Sequence, residues 1–465
     1  MTTSLKVTSP YDGSLLEEIP FDDGRAIEQA LETAYGCYRN RQAWIPLHER
    51  VAILERLAQL MTERCDELAL QAAREGGKPL IDSIVEAKRA ADGIKLAIET
   101  IRTEAGEVVP INGTQAGAQR VAFTQKEPIG VVVAVSAFNH PLNLIVHQVA
   151  AAVAAGCPVI VKPAEDTPIS CKVFVEMLHE AGLPKPWCQF VLPESLELAE
   201  RLVTDQRVGF FSFIGSAKVG WMLRSKLAPG TRCALEHGGV APLILAEDAD
   251  IDRALSSVLK AGFYHAGQVC VSVQRVFAEA GIAEEFSQRL AQLADTLKVG
   301  DPALLETQVG PLIRPAEMER VASWVDEAVS EGGQRLNERG RLDNNCYSPT
   351  VIYNPSHASK VSQQEIFGPV VCVYKSDSLE SALQQANGLP YAFQAAVFTR
   401  DIDKAMMVYR NIDASAVMVN DHTAFRVDGM PFAGLRQSGL GVGGIPHTIR
   451  DMQIEKMLVL NSAQL

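Results

Sequence analysis

A chain of 465 residues, 47% hydrophobic and 21% charged, has the makeup of a globular protein of two or three domains, not a disordered or fibrous one. Its net charge of −13 argues against a nucleic-acid binder and gives no attraction to an anionic membrane. Nine cysteines without paired spacing or a C-x-x-C, and nine histidines without an H-E-x-x-H, predict reduced thiols, a cytoplasmic setting and no metal site.

The opening MTTSLKVTSPYDG lacks the basic-then-apolar pattern of a secretory signal, and no apolar run reaches the length of a membrane span. Between Asp22 and Thr103, apolar residues recur at helical spacing among Ala, Leu, Glu and Arg, which predicts several helices. Gly106 to Lys126, with Gly113 and Gly117 between two β-prone stretches, predicts a hairpin or protruding arm. From Ile129 short apolar strands alternate with helices. Strands are predicted at 129–135, 157–163, 187–192, 208–214, 232–236 and 242–245, with helices at 144–155 and 169–181. This alternation predicts parallel βαβ units, whose ligands bind beyond the carboxyl ends of the strands. A second alternating block runs from about Asp250 to Thr448, with strands near 273–279, 370–374, 395–399 and 416–420. The stretch Gln453–Asn461 is β-prone and suited to pairing with an edge strand.

Several residues at strand ends have the chemistry of a site. Asn139, in FNHP after the first buried strand, carries an amide able to donate to an oxyanion. Lys162 and Glu165, in KPAED, are placed either to meet a ribose or to form an incidental charge pair. In FIGSAKVG, Gly215 and Ser216 end a strand and open a helix, a start that suits a phosphate. Glu236 ends another strand just before Gly238 and Gly239, where a carboxylate can serve as general base. Cys270, in HAGQVC, sits at an element boundary where backbone N–H groups can stabilise a thiolate; the alternative is a small buried hydrophobe. Gly439, Gly441 and Gly444 satisfy G-x-G-x-x-G, but no buried strand precedes them, so a flexible loop is predicted there.

Taken together FNHP (138–141), KPAE (162–165), FIGS (213–216), EHGG (236–239), HAGQVC (265–270), EIFGPV (365–370), NGLPYAF (387–393) and PFAGLRQSG (431–439) resemble the NAD(P)-dependent aldehyde dehydrogenase superfamily across nearly the whole chain. The resemblance implies an α/β fold of two Rossmann-like doubly wound domains, cofactor-binding and catalytic, plus a small β oligomerisation arm. Its boundaries would be 1–105 and 129–238 for cofactor binding, 239–449 for the thiol domain, and 106–128 with 450–465 for a homodimer or homotetramer contact. Cys270 would attack a small-molecule aldehyde, with the oxyanion held by the Asn139 amide and the Cys270 N–H, and Glu236 would activate water to release the acid. Lys162 and Glu165 resemble the adenosine-ribose contacts, Gly215 and Ser216 the pyrophosphate turn, and Glu365 and Phe367 the nicotinamide-side contacts. Glu165 would repel a 2′-phosphate, so NAD is expected over NADP, with NADP still possible.

Three segments depart from the family pattern: at His140, at His237 with Val240, and at Arg426 in the loop expected at the substrate mouth. His140 and Arg426 together suggest an aldehyde carrying an anionic group, such as a semialdehyde, because Arg presents a bidentate fork. The alternative is that Arg426 pairs with Asp421 or Asp428 while His140 merely packs. Rival functions are a CoA-acylating dehydrogenase and a catalytically idle structural protein of the same fold.

Overall fold

The computed structural model describes residues 4–465, so the first three residues of the opening segment lie outside the described residues. After a hairpin (Ser4–Thr8 and Leu15–Pro20) come four helices, Gly24–Arg39, Leu47–Glu63, Cys65–Gly76 and Leu80–Thr103. The first starts where Asp23 accepts hydrogen bonds from the Arg25 and Ala26 N–H groups, and it buries Ile27, Ala30, Leu31 and Ala34. That spacing of three and four places one apolar stripe toward the sheet below.

The first sheet has six strands, in the spatial order Gly439–Leu440, Arg232–Glu236, Val208–Ile214, Val131–Val135, Val159–Lys162, Cys188–Phe190. All its pairs are parallel except the edge formed by Gly439–Leu440. Numbered along the chain, the five parallel strands lie in the order 5-4-1-2-3, the doubly wound arrangement whose crevice opens where the winding reverses. Both faces are covered. Val131 and Val133 join the core under Gly24–Arg39, while Val132 and Ala134 join the core that contains Leu54, Leu57 and Ile94. Alternate residues of one strand therefore serve opposite layers, which is why the run is apolar throughout.

The second sheet has seven strands, ordered Gln334–Arg335, Thr350–Tyr353, Val370–Ser376, Arg275–Glu279, Pro242–Leu245, Gln394–Phe398, Ala416–Val419. Only the Gln334–Arg335 edge is antiparallel. Thr350–Tyr353 is a fully integrated strand that the sequence reading did not single out. It is only four residues long and lies between Pro349 and Pro355, so its apolar run is too brief to stand out.

Gln453–Asn461 pairs over its full length with Arg120–Pro128, and Val108–Val109 completes a three-stranded antiparallel arm. The helix predicted over 144–155 is present, but its middle turn, Val146–Ala150, is a π-turn. Of the glycines predicted to form a flexible loop, Gly439 joins the edge of the first sheet, while Gly441 and Gly444 lie in bends beyond it. Gly439 pairs with Glu236, and helix Ile445–Asp451 buries Ile445 and Ile449 in the first sheet's core. No helix is long and apolar enough to cross a membrane, and no cluster of His, Cys, Asp and Glu among the described residues could hold a metal ion.

Candidate active site

Cys270 follows an unusual piece of backbone. His265, Ala266 and Gly267 take positive φ values of 48°, 54° and 70° in succession. Non-glycine residues rarely adopt this region, and such strain collects where the surroundings over-determine a loop. Gly267 is required there, because a Cβ would lie 2.1 Å from the Gly368 carbonyl oxygen. Gln268 is the anchor. Its side chain donates to the His265 and Pro311 carbonyls and accepts from the Ile313 N–H, at 3.0–3.3 Å.

The Gln268 carbonyl accepts a hydrogen bond from Asn139 Nδ2 at 3.0 Å. This bond ties the end of the first-sheet strand to the cysteine loop of the second sheet and leaves the other amide hydrogen of Asn139 for a ligand. The turn after Asn139 is pinned by the buried Glu86, whose carboxylate accepts from the Leu142 and Asn143 N–H groups at 2.9 and 3.0 Å and pairs with Lys78 at 2.5 Å. Sequence reasoning missed Gln268, Lys78 and Glu86 as site supports. The one visible signal was a Gln two residues before the cysteine.

Cys270 is half-buried within a collar of Val269, Val271, Phe393, Phe432, Tyr264 and Ala424. Burial pushes its thiol up to about 12, with the Glu365 charge adding to the shift and Arg426 opposing it. Glu236, also raised by burial and opposed by Arg426, exerts its charge on the same thiol. A Cβ on Gly443 would lie 2.2 Å from Glu236 Oε1, so the glycine run gives this carboxylate its space. Glu236, Glu365 and Arg426 are thus all near enough to act on the charge of one sulfur.

The proposed cofactor residues lie along the first-sheet crevice. Lys162 ends the second strand, donating to the Pro163 carbonyl at 3.1 Å and pairing with the half-exposed Glu165 at 3.6 Å. Gly215 and Ser216 end the fourth strand at the start of helix Ala217–Arg224, where the Ser216 side chain makes no capping bond. Glu365 accepts one N–H, from Gly239 at 3.2 Å, and burial lifts its carboxyl to about 8. A Cβ on Gly238 would fall 1.7 Å from Glu365 Oε1, so a side chain there would displace that carboxylate. Phe367, with a positive φ of 48°, meets Phe138 edge-on at 5.8 Å. An under-bonded carboxylate, an uncapped hydroxyl at a helix start and a glycine-lined approach fit a dinucleotide lying along the strand ends.

His140 and Arg426 do not touch. The His140 ring faces the Tyr264 hydroxyl at 3.4 Å and His265 edge-on, and burial beside Lys78 lowers its pKa well below the usual histidine range. Arg426 lies over the Phe432 ring, 3.5 Å from its centroid, with Nη2 3.4 Å from His147 Nδ1. Asp428 is occupied elsewhere, by Arg89, His147 and Asn143, and Arg426 makes no direct bond to it. His237, another departure, is buried against Phe213, Trp221 and Gly220 and bonds the Gly215 carbonyl at 2.8 Å, so it supports the proposed phosphate turn from beneath.

The model for the aldehyde dehydrogenase family matches residues 1–458. The chain is 37% identical over 457 residues to 3-sulfolactaldehyde dehydrogenase of Priestia megaterium, covering 98% of this chain and 95% of that one. It is similar to the crystal structure of aldehyde dehydrogenase 21 from Physcomitrella patens in complex with the reaction product succinate (TM-score 0.95, 32% identity, 99% and 96% covered). It also matches glyceraldehyde-3-phosphate dehydrogenase GapN from Methanocaldococcus jannaschii complexed with NADP (TM-score 0.93, 31% identity, 99% and 100% covered). With a family match over nearly its whole length and the same two-sheet architecture, the chain belongs to the aldehyde dehydrogenase family.

Proposed function

We propose that this protein oxidises a small anionic aldehyde to its carboxylate, with Cys270 as covalent acceptor and a nicotinamide dinucleotide as oxidant. The observation that carries this reading is the bond from Asn139 to the Gln268 carbonyl, which ties that amide to the Cys270 loop, with Glu236, Glu365 and Arg426 all near enough to act on the thiol's charge. The nicotinamide, when bound, supplies the hydride acceptor. The Cys270 thiol gives its proton to solvent and the thiolate adds to the aldehyde carbon, where the new oxyanion meets the free N–H of Asn139 and the Cys270 N–H. Return of that electron pair expels hydride and leaves a thioester. Glu236 then takes a proton from water as it attacks; the C–S bond breaks, the acid leaves and the thiol is restored. A carboxylate placed to act on water favours hydrolysis over acyl transfer to CoA. The test is NADH formation without CoA across an aldehyde panel. Reduction only when CoA is added supports acyl transfer, and no reduction with any aldehyde supports an idle scaffold.

The anionic substrate rests on Arg426, whose buried Nε has no hydrogen-bond partner in the structure. A sulfonate, carboxylate or phosphate group occurs in the substrate or product named for each of the three relatives above. His140, kept neutral by burial, would offer the substrate a polar group without charge. Arg426→Ala is expected to lower kcat/KM for succinic semialdehyde about 30-fold or more while changing butanal less than about threefold, as befits loss of a charge-assisted bond. Steady-state kinetics with both aldehydes checks this, and an unchanged preference contradicts it.

For the cofactor, Glu165 supports NAD, although the GapN relative was crystallised with NADP. The Glu165 carboxylate would face a 2′-phosphate of like charge. Glu165→Gln is therefore expected to raise kcat/KM with NADP about tenfold relative to NAD.

The two separate strand sets support a division into a cofactor unit (1–105 and 129–238), a thiol unit (239–449) and arm segments (106–128 and 450–465), with 439–451 returning to the first sheet. The arm exposes Val108, Phe123, Met457, Leu458, Val459 and Leu460. An apolar sheet left this open is a contact surface between copies, supporting a homodimer or homotetramer. Paired Met457→Lys and Leu460→Lys changes are expected to shift the protein to a smaller species in sedimentation.

A further inference from the structure

The histidine in contact with Arg426 is His147, and it stands within a buried chain of polar groups that the reaction itself does not use. Its Nε2 lies 2.8 Å from Asp428 Oδ1, and its Nδ1 lies 3.4 Å from Arg426 Nη2. Asp428 also accepts from Arg89 Nη2 at 2.8 Å, Arg89 Nε at 3.2 Å and Asn143 Nδ2 at 3.0 Å. A guanidinium has only donors, so it approaches Nδ1 favourably only when that nitrogen offers its lone pair. The proton then resides on Nε2 and is donated to Asp428. A neutral ring agrees with burial and the Arg426 charge, which push His147 down to about 4. Asp428 is driven the other way: burial alone would raise it, but His147 and Arg89 hold it far below the usual carboxylate range.

The backbone supports this arrangement. His147 and Gln148 are consecutive in the π-turn, a geometry that recurs at functional sites. Gln148 Nε2 donates to the Val135 and Ser212 carbonyls at 3.2 and 3.1 Å, at the point where the winding of the first sheet reverses. The widened turn thus serves the cofactor-side strand ends with one side chain and Arg426 with the next.

We propose that His147 is the positioning residue for anion selectivity: its Nδ1 lone pair, oriented by Asp428, fixes the Arg426 guanidinium over Phe432 and leaves Nε open for the anionic group of the substrate. This inference rests on the reading of Arg426 given above. Asn and Gln separate the two ends of the ring, since an Asn side chain places its polar atoms near Nδ1 and a Gln side chain near Nε2. His147→Asn keeps the Arg426 contact and loses Asp428, whereas His147→Gln does the reverse.

In the full-length protein, His147→Gln is expected to reduce the preference for succinic semialdehyde over butanal about tenfold through KM, with kcat on butanal retained. His147→Asn is expected to hold that preference within about threefold. The inference is overturned if both variants lose selectivity equally, if neither does, or if kcat on butanal falls in parallel. Should His147→Gln fail to fold, His147→Ser removes both contacts and is expected to lose selectivity in the same way; retained selectivity overturns the inference. Arg426→Ala in the same assay separates the two levels. An unchanged preference there contradicts the role of Arg426, whereas loss there with full retention in His147→Gln contradicts only the role of His147.

Discussion

Cys270→Ala is expected to lower turnover on every aldehyde by about four orders of magnitude or more, to the limit of NADH detection. No nearby group can replace the sulfur. The collar around it is apolar, and the proposed mechanism gives the two carboxylates that act on its charge to water activation and to the cofactor. Because Cys270 is only partly buried, its side chain is small and its loop is anchored by Gln268, the variant should melt within a few degrees of the parent. Thermal melts alongside NADH progress curves check both halves. The free thiol also has a defined pH response. With burial holding it near 12, the reactive thiolate is scarce at neutral pH and grows about tenfold per unit below that value. Alkylation of Cys270 by iodoacetamide, without cofactor, should therefore accelerate nearly tenfold per unit between about pH 7 and 9.

Glu236→Gln is expected to preserve a first burst of NADH near one per site while slowing steady turnover about 100- to 1,000-fold. Asn139 and Cys270 are untouched by the change, so attack and hydride loss proceed and the thioester accumulates. The pH dependence follows from the raised pKa of Glu236, caused by burial and only partly offset by Arg426. The carboxylate is the working form. Hydrolysis in the parent should fall as pH drops through that raised value, at a higher pH than for an ordinary glutamate. The same decline should be missing from the slow turnover of the Gln variant. Stopped-flow burst amplitudes across pH distinguish this from a role for Glu236 in aldehyde binding, which would remove the burst.

The strands of both sheets were legible because a doubly buried strand is an unbroken apolar run. Val208–Ile214 and Pro242–Leu245 appear with the bounds read from sequence, as do the more open Arg232–Glu236 and the exposed arm strand Gln453–Asn461, which its β-prone residues alone marked. Thr350–Tyr353 escaped because four residues between prolines carry little periodicity. Within the glycine run at 439–444, Gly439 and Gly443 approach Glu236 closely, and glycine spacing alone cannot distinguish close approach from looseness. Cys270, Glu236 and Asn139 could be nominated individually because each ends or borders an apolar run. Their supports were hidden. Gln268, Glu86 and His147 act through partners 45, 56 and 281 positions away, separations to which a local pattern is blind. The pairing of Arg426 with His147 instead of His140 is the clearest case, since only the folded π-turn shows which histidine faces the guanidinium.

The most direct test of the covalent account is the mass of the Glu236→Gln protein after mixing with succinic semialdehyde and NAD, followed by mapping of its peptides. The account predicts one acyl adduct per chain on the peptide carrying Cys270, formed in step with the NADH burst and absent from the Cys270→Ala, Glu236→Gln double variant. A burst of NADH with Cys270 unmodified, or an adduct on any other residue, would contradict it.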